Sequence, residues 1–294
     1  MPPARWEARG RVIVSEQDPA PRIMGIVNVT PDSFSDGGSW NTPDEALAHA
    51  RLLAAEGAHL LDIGGESSRP GAAIVPVEEE LRRVVPAVEQ IAHALSVPIS
   101  VDTTKLEVAR RAIDAGAVII NDIEGFDGKP AHLKLAAETG AGIVIMHMAG
   151  NPRTMQIDPR YDDVVTEVYD VLARRVDAAE AKGVPRVRIA IDPGIGFGKK
   201  TAHNLDLLRN LGRFASLGCV VVIGVSRKGF LGKIIGRPLG QRITASVVSS
   251  LAAAVAGARV VRVHDVGPMA DAINVWSTQH GWDRGERHEP VDRD

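Results

Sequence analysis

The chain has 294 residues, 45% of them apolar and only 4% aromatic, with a formal net charge of −3. That length matches one large α/β barrel, which needs roughly 250 residues, and aliphatic filling suits strands buried on both faces better than a two-faced antiparallel sheet. Charges of both signs mixed along the chain argue against nucleic-acid or membrane-surface binding, and the lone Cys219 excludes an intramolecular disulfide and a C-x-x-C metal site.

Apolar runs such as Val220-Val221-Val222-Ile223 are far too short to span a bilayer. Residues 1–15 carry acids, bases and glycine where a signal peptide needs an apolar stretch. Together these predict a soluble, cytoplasmic protein.

In chain order, residues 5–14 read as a β-hairpin turning near Gly10, of the kind that closes the bottom of a barrel. One pattern then repeats: a short β-branched run, a small polar cluster, a helical segment. The runs are 23–29, 59–63, 98–101, 118–121, 142–146, 188–191, 220–225 and 260–263. Strands alternating with helices indicate βαβ units, and eight of them predict a closed (β/α)8 TIM barrel. Thr42-Pro43-Asp44-Glu45 supplies an N-cap with proline at the first helical position. Residues 77–95 and 162–182 are longer amphipathic stretches. Residues 241–256, rich in Ala, Ser and Val, suit close packing on the sheet or on another subunit. Gly116, Gly140 and Gly257 stand just past helical runs, where a left-handed cap favours glycine. The organisation is an N-terminal hairpin and lead-in (1–20), the barrel (21–280) and a charged, aperiodic, flexible C-terminal tail (281–294).

The informative feature is where the polar residues fall. Every run finishes in groups that can bind or react: Asn28; Asp62 to Gly71; Asp102; Asn121-Asp122; Met146-His147; Asp192 to Lys199; Ser226-Arg227-Lys228; and Arg262, His264 and Asp265. A single aspartate after a strand is more often a helix cap than a catalyst. Histidines such as His147 and His264, taken singly, are more often structural, and glycine clusters often only make turns. Eight polar strand ends are harder to explain as caps, because the strand starts lack such clusters. All eight carboxyl ends share one face of a barrel, where barrel enzymes hold their sites. Buried Asp and Asn can pair with an amide-like edge. Arg69, Lys228, Arg262 and His264 can hold an anion, and Met146, Phe197 and Ile123 supply apolar walls. A flat heterocycle linked to an anionic leaving group suits this set, and composition and spacing go no further.

At these residues the sequence resembles a known family. The segment from Met24 through Asn28-Val29-Thr30-Pro31-Asp32-Ser33-Phe34-Ser35-Asp36 to Gly38, and the segment from Asp62 to Gly71, are similar to the two signature motifs of bacterial dihydropteroate synthases. The later clusters follow in the family's order, over about residues 22 to 280. The resemblance implies a transferase of folate biosynthesis. It would condense 6-hydroxymethyl-7,8-dihydropterin pyrophosphate with p-aminobenzoate, giving 7,8-dihydropteroate and pyrophosphate. It further implies a homodimer, a Mg²⁺ ion reached by Asn28, and inhibition by sulfonamides, which mimic p-aminobenzoate.

By the same resemblance Asp102, Asn121 and Asp192 bind the pterin, with Lys228 beside them and Met146, Ile123 and Phe197 lining the slot. Arg262 and His264 bind the pyrophosphate. Ser68 stands where the family often has threonine, serving both substrates. Phe34, Arg69 and Pro70 belong to two mobile loops over the p-aminobenzoate, and Lys228 and Gly229 add to that pocket. The implied mechanism is dissociative: pyrophosphate leaves first, and the neutral arylamine attacks the resulting cation. Lys228, Arg262, His264 and Asp36 are the expected catalytic residues. Asp36 is placed over the electron-poor methylene, against the alternative that it only supports the Asp36-Gly37-Gly38 turn. A pterin-dependent methyltransferase would not need the 32–38 loop or Ser226-Arg227-Lys228, and a non-catalytic paralogue would show degraded motifs.

Overall fold

In the computed structural model the described residues are 5–18, 20–30, 42–68, 71–152 and 154–282. Strands β1 (Trp6–Ala8) and β2 (Arg11–Val14) pair antiparallel, with Ala8 opposite Arg11. The two residues between them, Arg9 and Gly10, both have positive φ (46° and 77°). That is the twist a two-residue hairpin turn requires, and glycine supplies it without strain.

The barrel strands are β3 (Arg22–Asn28), β4 (Leu60–Gly64), β5 (Ile99–Asp102), β6 (Ile119–Asp122), β7 (Gly142–Met146), β8 (Ile189–Asp192), β9 (Val220–Ile223) and β10 (Val260–Val263). They pair in parallel and close in the order β10-β3-β4-β5-β6-β7-β8-β9. Each lies within one or two residues of its predicted run. Buried parallel strands are short and aliphatic on both faces, so the run and the strand coincide.

The helices between them are α1 (Pro43–Ala55), α2 (Val77–Ala94), α3 (Leu106–Asp114), α4 (Pro130–Thr139), α5 (Val164–Ala181), α6 (Thr201–Arg209), α7 (Leu211–Phe214), α8 (Gly229–Ile235), α9 (Ile243–Val255) and α10 (Val266–His280). The α1 start is a capping box: Glu45 N–H donates to Thr42 Oγ1 at 3.2 Å, and Thr42 N–H donates to Glu45 Oε2 at 3.0 Å. At α5, Asp163 accepts from the backbone of Val165 and Thr166. Gly116, Gly140 and Gly257 follow their helices with positive φ. Helix α9 starts at Ile243 rather than 241, after a tight turn at Leu239–Gln241. Helix α8 is too short to stand out as a periodic segment. The predicted tail lies outside the described residues from 283 onward. Its first two residues belong to the barrel instead: Gly281 caps α10 and Trp282 packs on the core. No helix among the described residues is long and apolar enough to cross a membrane.

Outward strand residues such as Val27, Ile63, Val101 and Ile145 meet the helices in the main core. Inward residues at the strand starts, among them Met24, Leu60, Val144, Ala190 and Val260, form a second buried cluster with Trp6, Ala8, Ile13 and Val14 of the hairpin. Trp6 Nε1 donates to Arg188 O at 3.2 Å, and Arg9 donates to the Ile113 and Ala117 carbonyls. The hairpin therefore closes the amino-terminal end of the barrel, as its position in the chain suggested.

Candidate active site

At the opposite end the same inward positions become polar. Side chains alternate along a strand, so Leu60 gives way to Asp62, Ala190 to Asp192 and Val260 to Arg262. Around them lies a cavity of about 600 Å³. Asn28, Ser68, Asp102, Asn121, Met146, Asp192, Phe197, Lys228, Gly229, Arg262 and His264 all line it. These are the expected site residues that fall within the described chain. Phe34, Asp36, Arg69 and Pro70 lie outside the described residues.

Arg262 reaches across the barrel floor. Its Nε donates to Asp62 Oδ2 at 2.6 Å and its Nη2 donates to Asp102 Oδ2 at 2.8 Å. Asn121 Nδ2 donates to the same Asp62 oxygen at 3.0 Å. Asp62, fully buried, thus orients one expected pterin ligand, Asn121, and the expected anion ligand, Arg262, which in turn holds Asp102. Its other oxygen, Oδ1, has no hydrogen-bond partner among the described residues.

Burial pushes the Asp102 carboxyl up to about 7, against the pull of Arg262 and with the Asp62 charge adding to it. Asp192 is also raised by burial, opposed by the Gly194 N–H that donates to its Oδ1 at 2.7 Å and by Lys228. Burial pulls the Lys228 ammonium down to about 8, with Asp192 opposing. The Lys228 Nζ sits 3.9 Å from the Phe197 ring centroid, a cation–π pair that fixes both. His264 is set by Ser226, whose Oγ lies 3.1 Å from Nδ1 and accepts the His264 N–H at 3.2 Å. Arg227, between Ser226 and Lys228, pairs its guanidinium with Asp265 (Nε to Oδ2, 3.0 Å). The apolar wall is a cluster of Met146, Met148 and Met155 with Ile123 and Phe197 packed on it.

Of three neighbours, Asp62 and Lys199 receive no role from the sequence, and His147 has there the structural reading that its pairing with Lys199 fits. Asp62 was one polar residue in a strand end; a carboxylate within a buried strand needs a partner, and that was the available signal. Lys199 is buried, with Nζ 2.9 Å from His147 Nδ1 and donating to Phe197 O at 2.9 Å. Burial and the nearby Lys199 push His147 down to about 2, so the ring is neutral. Burial pulls Lys199 down to about 7. This pair holds the loop that presents Phe197.

The site thus combines a hydrogen-bonding floor, apolar walls and cations on one side. A planar polar heterocycle carrying an anionic group fits it. The family model for pterin binding enzymes matches residues 24–264. Dihydropteroate synthase of Escherichia coli K12 is 46% identical over 87% of this chain and 90% of its own length. The Yersinia pestis dihydropteroate synthase, solved with a sulfonamide drug, superposes with a TM-score of 0.89 at 42% identity, covering 94% of this chain and 99% of that one. The Xanthomonas albilineans synthase, solved with 4-aminobenzoic acid and with 7,8-dihydropteroate, gives TM-scores of 0.85 and 0.83 at 48% and 47% identity, covering 94% of this chain and 98% of each. The chain belongs to the dihydropteroate synthase family of pterin-binding enzymes.

Proposed function

We propose that the chain condenses 6-hydroxymethyl-7,8-dihydropterin pyrophosphate with p-aminobenzoate, giving 7,8-dihydropteroate and pyrophosphate. The observation that carries this is one cavity whose floor holds Asp102, Asn121 and Asp192 and whose side holds Lys228, Arg262 and His264. Asp102, Asn121 and Asp192 hydrogen-bond the pterin edge, and Met146, Ile123 and Phe197 exclude water from its faces. Lys228, Arg262 and His264 hold the pyrophosphate. When the methylene C–O bond breaks, its electron pair leaves with pyrophosphate, and these donors stabilise the charge that develops there. The dihydropterin delocalises the remaining positive charge. The arylamine nitrogen lone pair then forms the new C–N bond and the nitrogen releases a proton. Ser68 and Gly229 border the space left for the p-aminobenzoate.

Among the described residues no group of three or more His, Cys, Asp or Glu side chains could hold a metal by itself. That fits Mg²⁺, which is commonly bound by one or two protein oxygens together with substrate phosphates. Asn28, on the cavity wall, is the residue that would hold it, and the ion would supply positive charge against the pyrophosphate. We also propose the cytoplasm as the compartment and a homodimer as the assembly, built on α9, where Ile243, Val248 and Val255 are exposed. Light scattering would show twice the mass of one chain. Incubating the chain with both substrates and Mg²⁺ tests the reaction. Pyrophosphate release that depends on p-aminobenzoate, and that a sulfonamide suppresses competitively, is the expected result. Release indifferent to p-aminobenzoate would overturn it.

A further inference from the structure

A charged cluster, buried at one end and lining the cavity through Glu66 at the other, takes no part in the chemistry above. Glu66 stands two residues past the end of β4 and two before Ser68. Its Oε1 accepts the Val75 N–H at 3.0 Å, which joins the two ends of the segment that follows β4. Its Oε2 pairs with Lys105 Nζ, and the same ammonium pairs with Glu80 on α2, fully buried. Glu80 Oε1 accepts from Thr103 Oγ1 at 2.6 Å. Thr103 directly follows Asp102, and its N–H donates to Asn121 O at 3.0 Å. One cation therefore ties the segment carrying Ser68 to the strand ends that carry the pterin ligands Asp102 and Asn121. The root of that segment has no slack, since a Cβ on Gly65 would stand 2.6 Å from Val84 and 3.0 Å from Glu80 side-chain atoms.

Such a cluster is a poor device for stability. Burying a carboxylate such as Glu80 with its ammonium often does no better than apolar packing of the same volume. What it fixes is relative position. We propose that Lys105 is a positioning residue that sets the Ser68 segment at a fixed distance from the pterin floor, so that the p-aminobenzoate space is built against the bound pterin. This rests on the synthase reading above.

Two substitutions in the full chain test it. Lys105→Met removes the cation, and Glu66→Gln keeps the acceptor for Val75 while removing the charge that Lys105 holds. In each, the KM for p-aminobenzoate should rise about tenfold, equivalent to about 1.4 kcal/mol, while the affinity for the pterin pyrophosphate, measured by calorimetry, stays at the wild-type value. A purely structural role would lower kcat through the folded fraction and leave that KM unmoved. Glu66 is part exposed, so Glu66→Gln decides the matter if Lys105→Met does not fold. A folded Glu66→Gln protein with wild-type KM for p-aminobenzoate would overturn the inference. Wild-type protein inactive with both substrates would instead overturn the synthase reading on which it rests.

Discussion

The two ends of the barrel are built from the same strands and differ in what their inward side chains do. At the bottom, Leu60, Ala190 and Val260 meet Trp6 and Val14 in an apolar plug. Two residues later on the same strands, about 7 Å along, the inward positions hold Asp62, Asp192 and Arg262. The plug gains free energy from every methylene that it buries. The polar end spends that gain on desolvated charge, and it shows in Asp102, Asp192, Lys199 and Lys228, whose burial favours their neutral forms. Separating the two along a few ångströms of strand lets a strained electrostatic site sit on a frame that does not depend on it.

The largest effect should come where the polar end does depend on itself. Arg262→Leu leaves Asp62 and Asp102 facing each other without their shared cation. Breaking such a pair costs about 3 kcal/mol or more, to be read by urea denaturation, and turnover should be lost as well. Arg262→Lys keeps the charge but cannot form the fork to both carboxylates, so it should fold better than Arg262→Leu and still lose much of the rate. At the bottom, Trp6→Ala should cost about 3–5 kcal/mol of stability and leave both KM values unchanged in the folded fraction. A shifted KM in Trp6→Ala would blur the division between the ends.

Asp192→Ala should weaken pterin binding by roughly 1–3 kcal/mol, the cost of leaving a ligand donor unpaired, with the barrel still folded. Calorimetry with the pterin ligand and circular dichroism would read the two halves of that statement. The smallest effect concerns pH. The unfolded chain protonates His147 near pH 6.5, whereas the folded chain does so only near pH 2. Its contribution to stability is therefore complete above pH 6.5 and is lost as pH falls toward 2. At about 1.4 kcal/mol per pH unit this amounts to about 2 kcal/mol by pH 5. His147→Gln, which keeps an acceptor for Lys199, should flatten that part of the stability profile. An unchanged slope would place the acid sensitivity elsewhere.

Much of this was legible from the residues. The strands could be read because a parallel barrel needs short aliphatic runs. The site could be read because polar groups ended every run and were missing from the starts. The hairpin plug was legible from the turn at Gly10 ahead of the first barrel strand. What was not legible depends on closure. Asp62 meets Arg262 across 200 residues of chain because β10 returns to lie beside β3, next to β4. No local pattern marks that pairing. Lys105 likewise gathers Glu66 and Glu80 from 39 and 25 residues away. Arg227 stands beside Lys228 in the same strand-end cluster, yet Asp265 holds its guanidinium while Lys228 lines the cavity. Local spacing names the groups that reach the mouth of the barrel, and only the packed fold says which of them hold one another.

The most direct test measures pyrophosphate release from dihydropterin pyrophosphate and p-aminobenzoate by wild type, Trp6→Ala and Asp192→Ala at equal folded concentrations. The account predicts one pyrophosphate released per 7,8-dihydropteroate formed by wild type, a like rate per folded molecule for Trp6→Ala, and a strongly reduced rate at sub-saturating pterin for Asp192→Ala. Wild-type release without dihydropteroate, or an Asp192→Ala protein as active as wild type at low pterin, would contradict it.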